Sequence, residues 1–216
     1  MKAQLKRKQL LTVYQRLLEA YGAQNWWPAD STFEVMIGAI LTQNTAWANV
    51  EKAISNLKRS NNLMLESILA LSDEDLAQLI RPSGYFNIKA KRLKNLCLWI
   101  AENGGEFKLA EVGTETLRSS LLQVNGVGPE TADDILLYAF ERPVFVIDTY
   151  TRRLFANLRL IGGDEPYEEL REIFEAGLEA DVILFNQYHA LIVRHAKEKC
   201  LKTSDCRHCQ VEDNKI

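Results

Sequence analysis

The chain has 216 residues, 47% of them hydrophobic and 25% charged, enough for one large domain or two smaller helical ones sharing an interface. No apolar run approaches the roughly 18 residues that would span a bilayer. The basic start, MKAQLKRKQLL, passes into an amphipathic helix rather than a secretory leader, so a cytoplasmic protein is expected. A net charge of −3 and a pI near 5.7 argue against a protein that coats nucleic acid by charge alone. They leave open one that grips phosphate with backbone amides and helix ends.

In chain order, apolar residues recur at three- and four-residue spacing through FEVMIGAILTQNTAWANVEKAISNLK, LESILALS, DEDLAQLI, KAKRLKNLCLWIAEN, TETLRSSLLQV, ETADDILLYAF, TYTRRLFANLRLI, YEELREIFEAGL and FNQYHALIVRHAKEK. Asp30-Ser31 and Ser72-Asp73 have the chemistry of helix N-caps, and glycine and proline fall between the periodic stretches. RPVFVID is a short β-like run, too isolated to found a sheet. The expected class is all-α. Lys89, Lys91, Arg92 and Lys94 form one basic cluster, and Arg194, Lys197, Lys199, Lys202 and Arg207 another; the plain reading of each is a solvated helix face.

Three of the four features that carry chemistry come first. In LLQVNGVGPETA, Gly126-Val127-Gly128 makes a tight turn in which amides can converge, and Pro129 opens the next helix where its missing N–H is not needed. The product is a small anion cradle at a helix N-terminus, suited to a DNA phosphate. Further on, ERPVFVID brings Asp148 to the start of TYTRRLFANL, where it reads as an N-cap, a role compatible with service in a cleft. Near the C-terminus, Cys200, Cys206 and Cys209 lie close together, which in a chain without a secretory leader points to metal before disulfides. Cys97, in LKNLCLWI, reads as a buried inert thiol.

The stretch LLQVNGVGPETADDILLYAFERPVFVIDTYTRRL resembles the hairpin, helix and following loop of the helix-hairpin-helix DNA glycosylases related to endonuclease III. The resemblance runs from FEVMIGAILTQNT through RPSGYFNIKAKRL to the terminal cysteines. It implies two helical lobes flanking a cleft, one of residues 1–28 and 134–216 and one of 29–133. It also implies double-stranded DNA with damaged bases as partner, a monomer as sufficient, and extrusion of the target nucleotide into a pocket. Asp148 matches the family's invariant aspartate and becomes the expected catalytic residue, stabilising positive charge on the sugar. Gln43 matches the residue that fills the gap left by the flipped base, with Asn44, Gly126, Val127, Gly128 and Thr131 at DNA-contacting positions.

One departure matters. Members that also cut the strand carry a lysine where this chain has Glu130, and a glutamate cannot form an imine with the sugar. The expectation is a monofunctional glycosylase that leaves an abasic site. Trp26-Trp27-Pro28 in a loop, with Trp47 after LTQNTA, could equally fill the core or wall an opening. The pairing is similar to the 3-methyladenine glycosylase III branch, in which these four residues would line the base pocket; aromatic faces attract a cationic alkylated purine. The terminal cysteines resemble the family's [4Fe–4S] loop, although Lys215 stands where a fourth cysteine is expected. A cluster with another fourth ligand, zinc completed by His208, and a loop without metal all remain open. The alternatives for function are an endonuclease III-type pyrimidine glycosylase and lyase, and a non-catalytic damage-binding protein.

Overall fold

The computed structural model describes residues 7–200 and Val211, and among these there is no strand. The helices are α1 (Arg7–Tyr21), α2 (Thr32–Leu41), α3 (Trp47–Arg59), α4 (Leu65–Ala70), α5 (Asp73–Leu79), α6 (Phe86–Glu102), α7 (Glu106–Ala110), α8 (Thr114–Leu121), α9 (Pro129–Asp134), α10 (Thr149–Asn157), α11 (Tyr167–Gly177) and α12 (Val182–Glu198). A 3₁₀ turn at Arg81–Ser83 precedes α6, and a π turn at Ile135–Ala139 continues α9. No described helix is long and apolar enough to cross a membrane. The all-α expectation is met.

The chain divides into two compact units, Ala29–Glu141 and, from the two ends, Met1–Pro28 with Arg142–Ile216. The second crossing falls at Glu141–Arg142, where the sequence reading put it between 133 and 134. The reason is the π turn, which keeps Ile135, Leu136, Leu137 and Tyr138 buried against α2 and so carries the hairpin helix whole into the internal unit.

The internal unit is built round α2, whose residues from Phe33 to Leu41 are all buried, as a helix apolar on every side must be. Ser31 starts it, its Oγ accepting from the Glu34 N–H at 3.2 Å, while Glu34 Oε2 accepts from the Asp30 N–H at 3.0 Å. Glu34 is itself buried, and Lys58 of α3 balances its charge at 2.7 Å. Helices α3, α6, α9 and the π turn pack on α2, and α4 and α5 pack on α6.

The other unit has an aromatic core. Phe145, Phe155, Phe174, Phe185 and Tyr188 are fully buried, with Phe145 against three of them at ring-centroid distances of 4.6, 5.3 and 5.7 Å. Phe145 belongs to the extended run before α10, in which Val144 to Ile147 are buried. The β-like run of the sequence forms no strand here. Its amides go to side chains of α11 instead: Phe145 N–H to Glu175 Oε1 at 2.9 Å and Ile147 N–H to the Tyr167 hydroxyl at 3.3 Å. Buried backbone must find acceptors somewhere, and here a helix supplies them.

Candidate active site

In the internal unit, α8 ends at Leu121 and the chain turns through Val124–Gly128 into α9. The Val127 N–H closes the turn on the Val124 carbonyl at 3.0 Å, Gly128 caps α9, and Pro129 stands in its first turn. Val127 is buried with its amide engaged, so its contribution is the turn itself. The amides of Gly126 and Gly128 donate to no backbone carbonyl among the described residues. Gly126 has φ +99°, and a Cβ there would lie 2.2 Å from Arg92 Cγ; glycine is required both by conformation and by the close approach of Arg92.

Gln43, from the loop after α2, braces this turn. Its Nε2 donates to the Gly126 carbonyl at 3.0 Å and to Thr131 Oγ1 at 2.9 Å, and its Oε1 accepts from Arg92 at 2.5 Å. Three residues assigned to DNA contact from the sequence, Gln43, Gly126 and Thr131, are thus brought together, with Thr131 buried behind the turn. Asn44 is exposed in the left-handed region at φ +54°. Arg118 of α8 and Asp133 of α9 form a buried bidentate pair at 2.6 and 3.1 Å that ties the two hairpin helices.

The basic cluster at 89–94 is a solvated face only in part. Lys91 is exposed, whereas Lys89 is 1% exposed and donates to the carbonyls of Leu41 (2.8 Å) and Ser83 (2.7 Å) and to Thr45 Oγ1 (2.9 Å). Burial and the nearby Arg92 push its ammonium down to about 8. All three of its donors are engaged, so this lysine fixes the Gln43 loop to the start of α6. Lys94 pairs with Asp73 at 2.8 Å.

In the terminal unit, Asp148 is the N-cap of α10, its Oδ1 accepting from the Thr151 N–H at 2.6 Å. The residue is 8% exposed. Burial works to raise its pKa, but His189 and the Thr151 bonds outweigh it and hold the carboxyl below the ordinary aspartate value. His189, from the buried face of α12, places Nε2 3.7 Å from Asp148 Oδ2. The sequence reading missed His189, because a histidine in the apolar helix FNQYHALIVRH has the appearance of core and lies 41 residues from its partner.

Trp26 and Trp27 lie in the loop between α1 and α2, half-buried, with ring centroids 5.3 Å apart and Pro28 exposed beside them. Trp47 opens α3 in the internal unit. Cys97 is buried and its thiol is pushed up to about 12, which makes it inert as expected. Cys200 is buried, its Sγ accepting from Asn157 Nδ2 at 3.3 Å. Cys206, Cys209, His208 and Lys215 lie outside the described residues.

The hairpin turns on glycine ahead of α9, and a buried aspartate caps the next helix, α10. The family model described as "HhH-GPD superfamily base excision DNA repair protein" matches residues 37–180, and the chain belongs to that superfamily as a DNA glycosylase. It is 48% identical over 211 residues, covering 96% of both chains, to MJ1434 of Methanocaldococcus jannaschii, provisionally named a DNA repair glycosylase. It is 27% identical to endonuclease III of Sulfolobus acidocaldarius, over 85% of this chain and 81% of that one. Among solved structures, the 3-methyladenine DNA glycosylase of H. pylori bound to 1,N6-ethenoadenine matches at a TM-score of 0.73 and 31% identity, over 91% of this chain and 98% of that one. An endonuclease III–DNA complex matches at 0.81 and 21% identity over 96% and 94%, a likeness of fold.

Proposed function

We propose that this protein is a monofunctional glycosylase that removes alkylated purines, such as 3-methyladenine, from double-stranded DNA, with Asp148 as its essential carboxylate. The observation that carries the reading is a buried carboxylate at a helix N-terminus, accepting from the Thr151 amide. Such a group stabilises the positive sugar that forms as the bond from C1′ to the base nitrogen breaks. The bonding pair leaves with the base and cancels the charge of an alkylated purine. Water then adds to C1′ and gives up a proton, which Asp148 can accept.

Glu130 supports the monofunctional half of the reading, since it stands on the hairpin helix where a lyase carries its amine. Lys89 is no substitute, with every donor engaged in the interior. The purine half draws on Trp26 and Trp27 and on the 31% identity to the H. pylori enzyme. The amides of Gly126 and Gly128 would take a phosphate of the duplex.

Cys200, Cys206 and Cys209 offer thiolates of the right softness for a [4Fe–4S] cluster but fall one short of four. We read them as ligands of a structural cluster whose fourth corner takes another donor. Iron and acid-labile sulfide in anaerobically purified protein check this, and protein without either refutes it.

The function is tested with purified protein on duplexes carrying alkylated purine or thymine glycol, with and without alkali. Release of the purine with strand breaks only after alkali is expected. Release of thymine glycol with breaks in the absence of alkali would overturn both halves.

A further inference from the structure

An aspartate anchored through one oxygen is not yet aimed. The Thr151 N–H fixes Oδ1 of Asp148, but the terminal torsion of a carboxylate is soft, so this bond alone leaves Oδ2 to be oriented by its neighbours. The second restraint comes from α12. This helix packs on α10 and is pinned by Tyr188, whose hydroxyl donates to the Leu10 carbonyl at 2.7 Å. The next residue, His189, is 6% exposed and faces Oδ2 at 3.7 Å. That separation exceeds a direct hydrogen bond, but catalytic contacts are often long before substrate excludes water.

We propose that His189 is a positioning residue that holds Oδ2 of Asp148 in its reactive orientation, so that Oδ1 serves the helix and Oδ2 the sugar. The inference rests on Asp148 being the reactive carboxylate. His189 does not touch substrate; it acts through the aspartate. A ring nitrogen suits this because it presents a polar edge from the buried face of α12.

The test compares His189→Leu and His189→Gln in single-turnover release of alkylpurine from duplex DNA, alongside DNA affinity and melting temperature. His189→Leu should slow release by roughly 10–100-fold, the worth of a bond to a charged group, with DNA affinity unchanged. His189→Gln, which keeps a polar donor near the same place, should recover most of the rate. Equal slowing by both variants would mean a packing role and overturn the proposal, as would a wild-type rate in His189→Leu. If His189→Leu does not fold, His189→Asn, whose amide is too short to reach, replaces it with the same two outcomes. Asp148→Asn on the same DNA separates the premises. If it stays active, the carboxylate reading fails; if it is dead while His189→Leu matches wild type, only the role of His189 fails.

Discussion

The two units of this protein hold their polar groups in different ways. In the internal unit the hairpin is braced from several sides: Gln43 on Gly126 and Thr131, Arg92 on Gln43, Arg118 on Asp133, and Lys89 on the loop that carries Gln43. Most of these bonds end on backbone carbonyls or on buried partners. In the terminal unit Asp148 takes a strong bond from the Thr151 amide and has the His189 ring more loosely beside it. Under the proposed function, the hairpin meets an invariant phosphate backbone and benefits from rigidity in every direction, whereas Asp148 answers a developing charge and needs one fixed oxygen and one available.

That contrast can be broken at either end. The largest effect should come from Asp148→Asn, which keeps a capping oxygen but loses the charge. Single-turnover base release should fall by about 10²–10⁴-fold, with at most a small drop in melting temperature. Next is Asp133→Ala, which leaves Arg118 buried without its carboxylate. Urea unfolding should show a loss of roughly 3–5 kcal/mol. Gly126→Ala should cost about 1–3 kcal/mol in the same measurement, because the new Cβ needs a left-handed backbone and displaces Arg92 from Gln43. It should also weaken duplex binding, read by fluorescence anisotropy.

Lys89→Met should cost a similar or smaller amount in the same unfolding measurement, of order 1–3 kcal/mol for acceptors left without donors. The smallest effect is in pH. The native pKa of Asp148 lies below its ordinary value, so its stabilising contribution is complete above that value and is lost as pH falls through the native pKa. The stability gap between wild type and Asp148→Asn should therefore be constant at neutral pH and shrink only in strong acid, as urea titrations at successive pH values would show.

Much of this was legible beforehand. The three- and four-residue apolar spacing marks the helices, Ser31 and Ser72 cap where their chemistry indicates, and Asp148 sits at the cap its sequence position implies. The unread parts share a cause, which is dependence on distant partners. The π turn after α9 follows from packing on α2, not from ILLYA itself. Lys89 looks like a surface charge among Lys91 and Lys94 until the carbonyls of Leu41 and Ser83 are brought to it. His189 reads as core until α12 docks beside α10.

In the run from Val144 to Ile147, the Phe145 and Ile147 amides go to Glu175 and Tyr167, side chains of a helix, instead of to a sheet. A sheet amide exchanges its hydrogen when strands part; these two exchange when the Glu175 and Tyr167 side chains of α11 release them. Hydrogen exchange at Phe145 and Ile147 is therefore a clock for the breathing of the segment that delivers Asp148, and it ticks with the local opening of one helix.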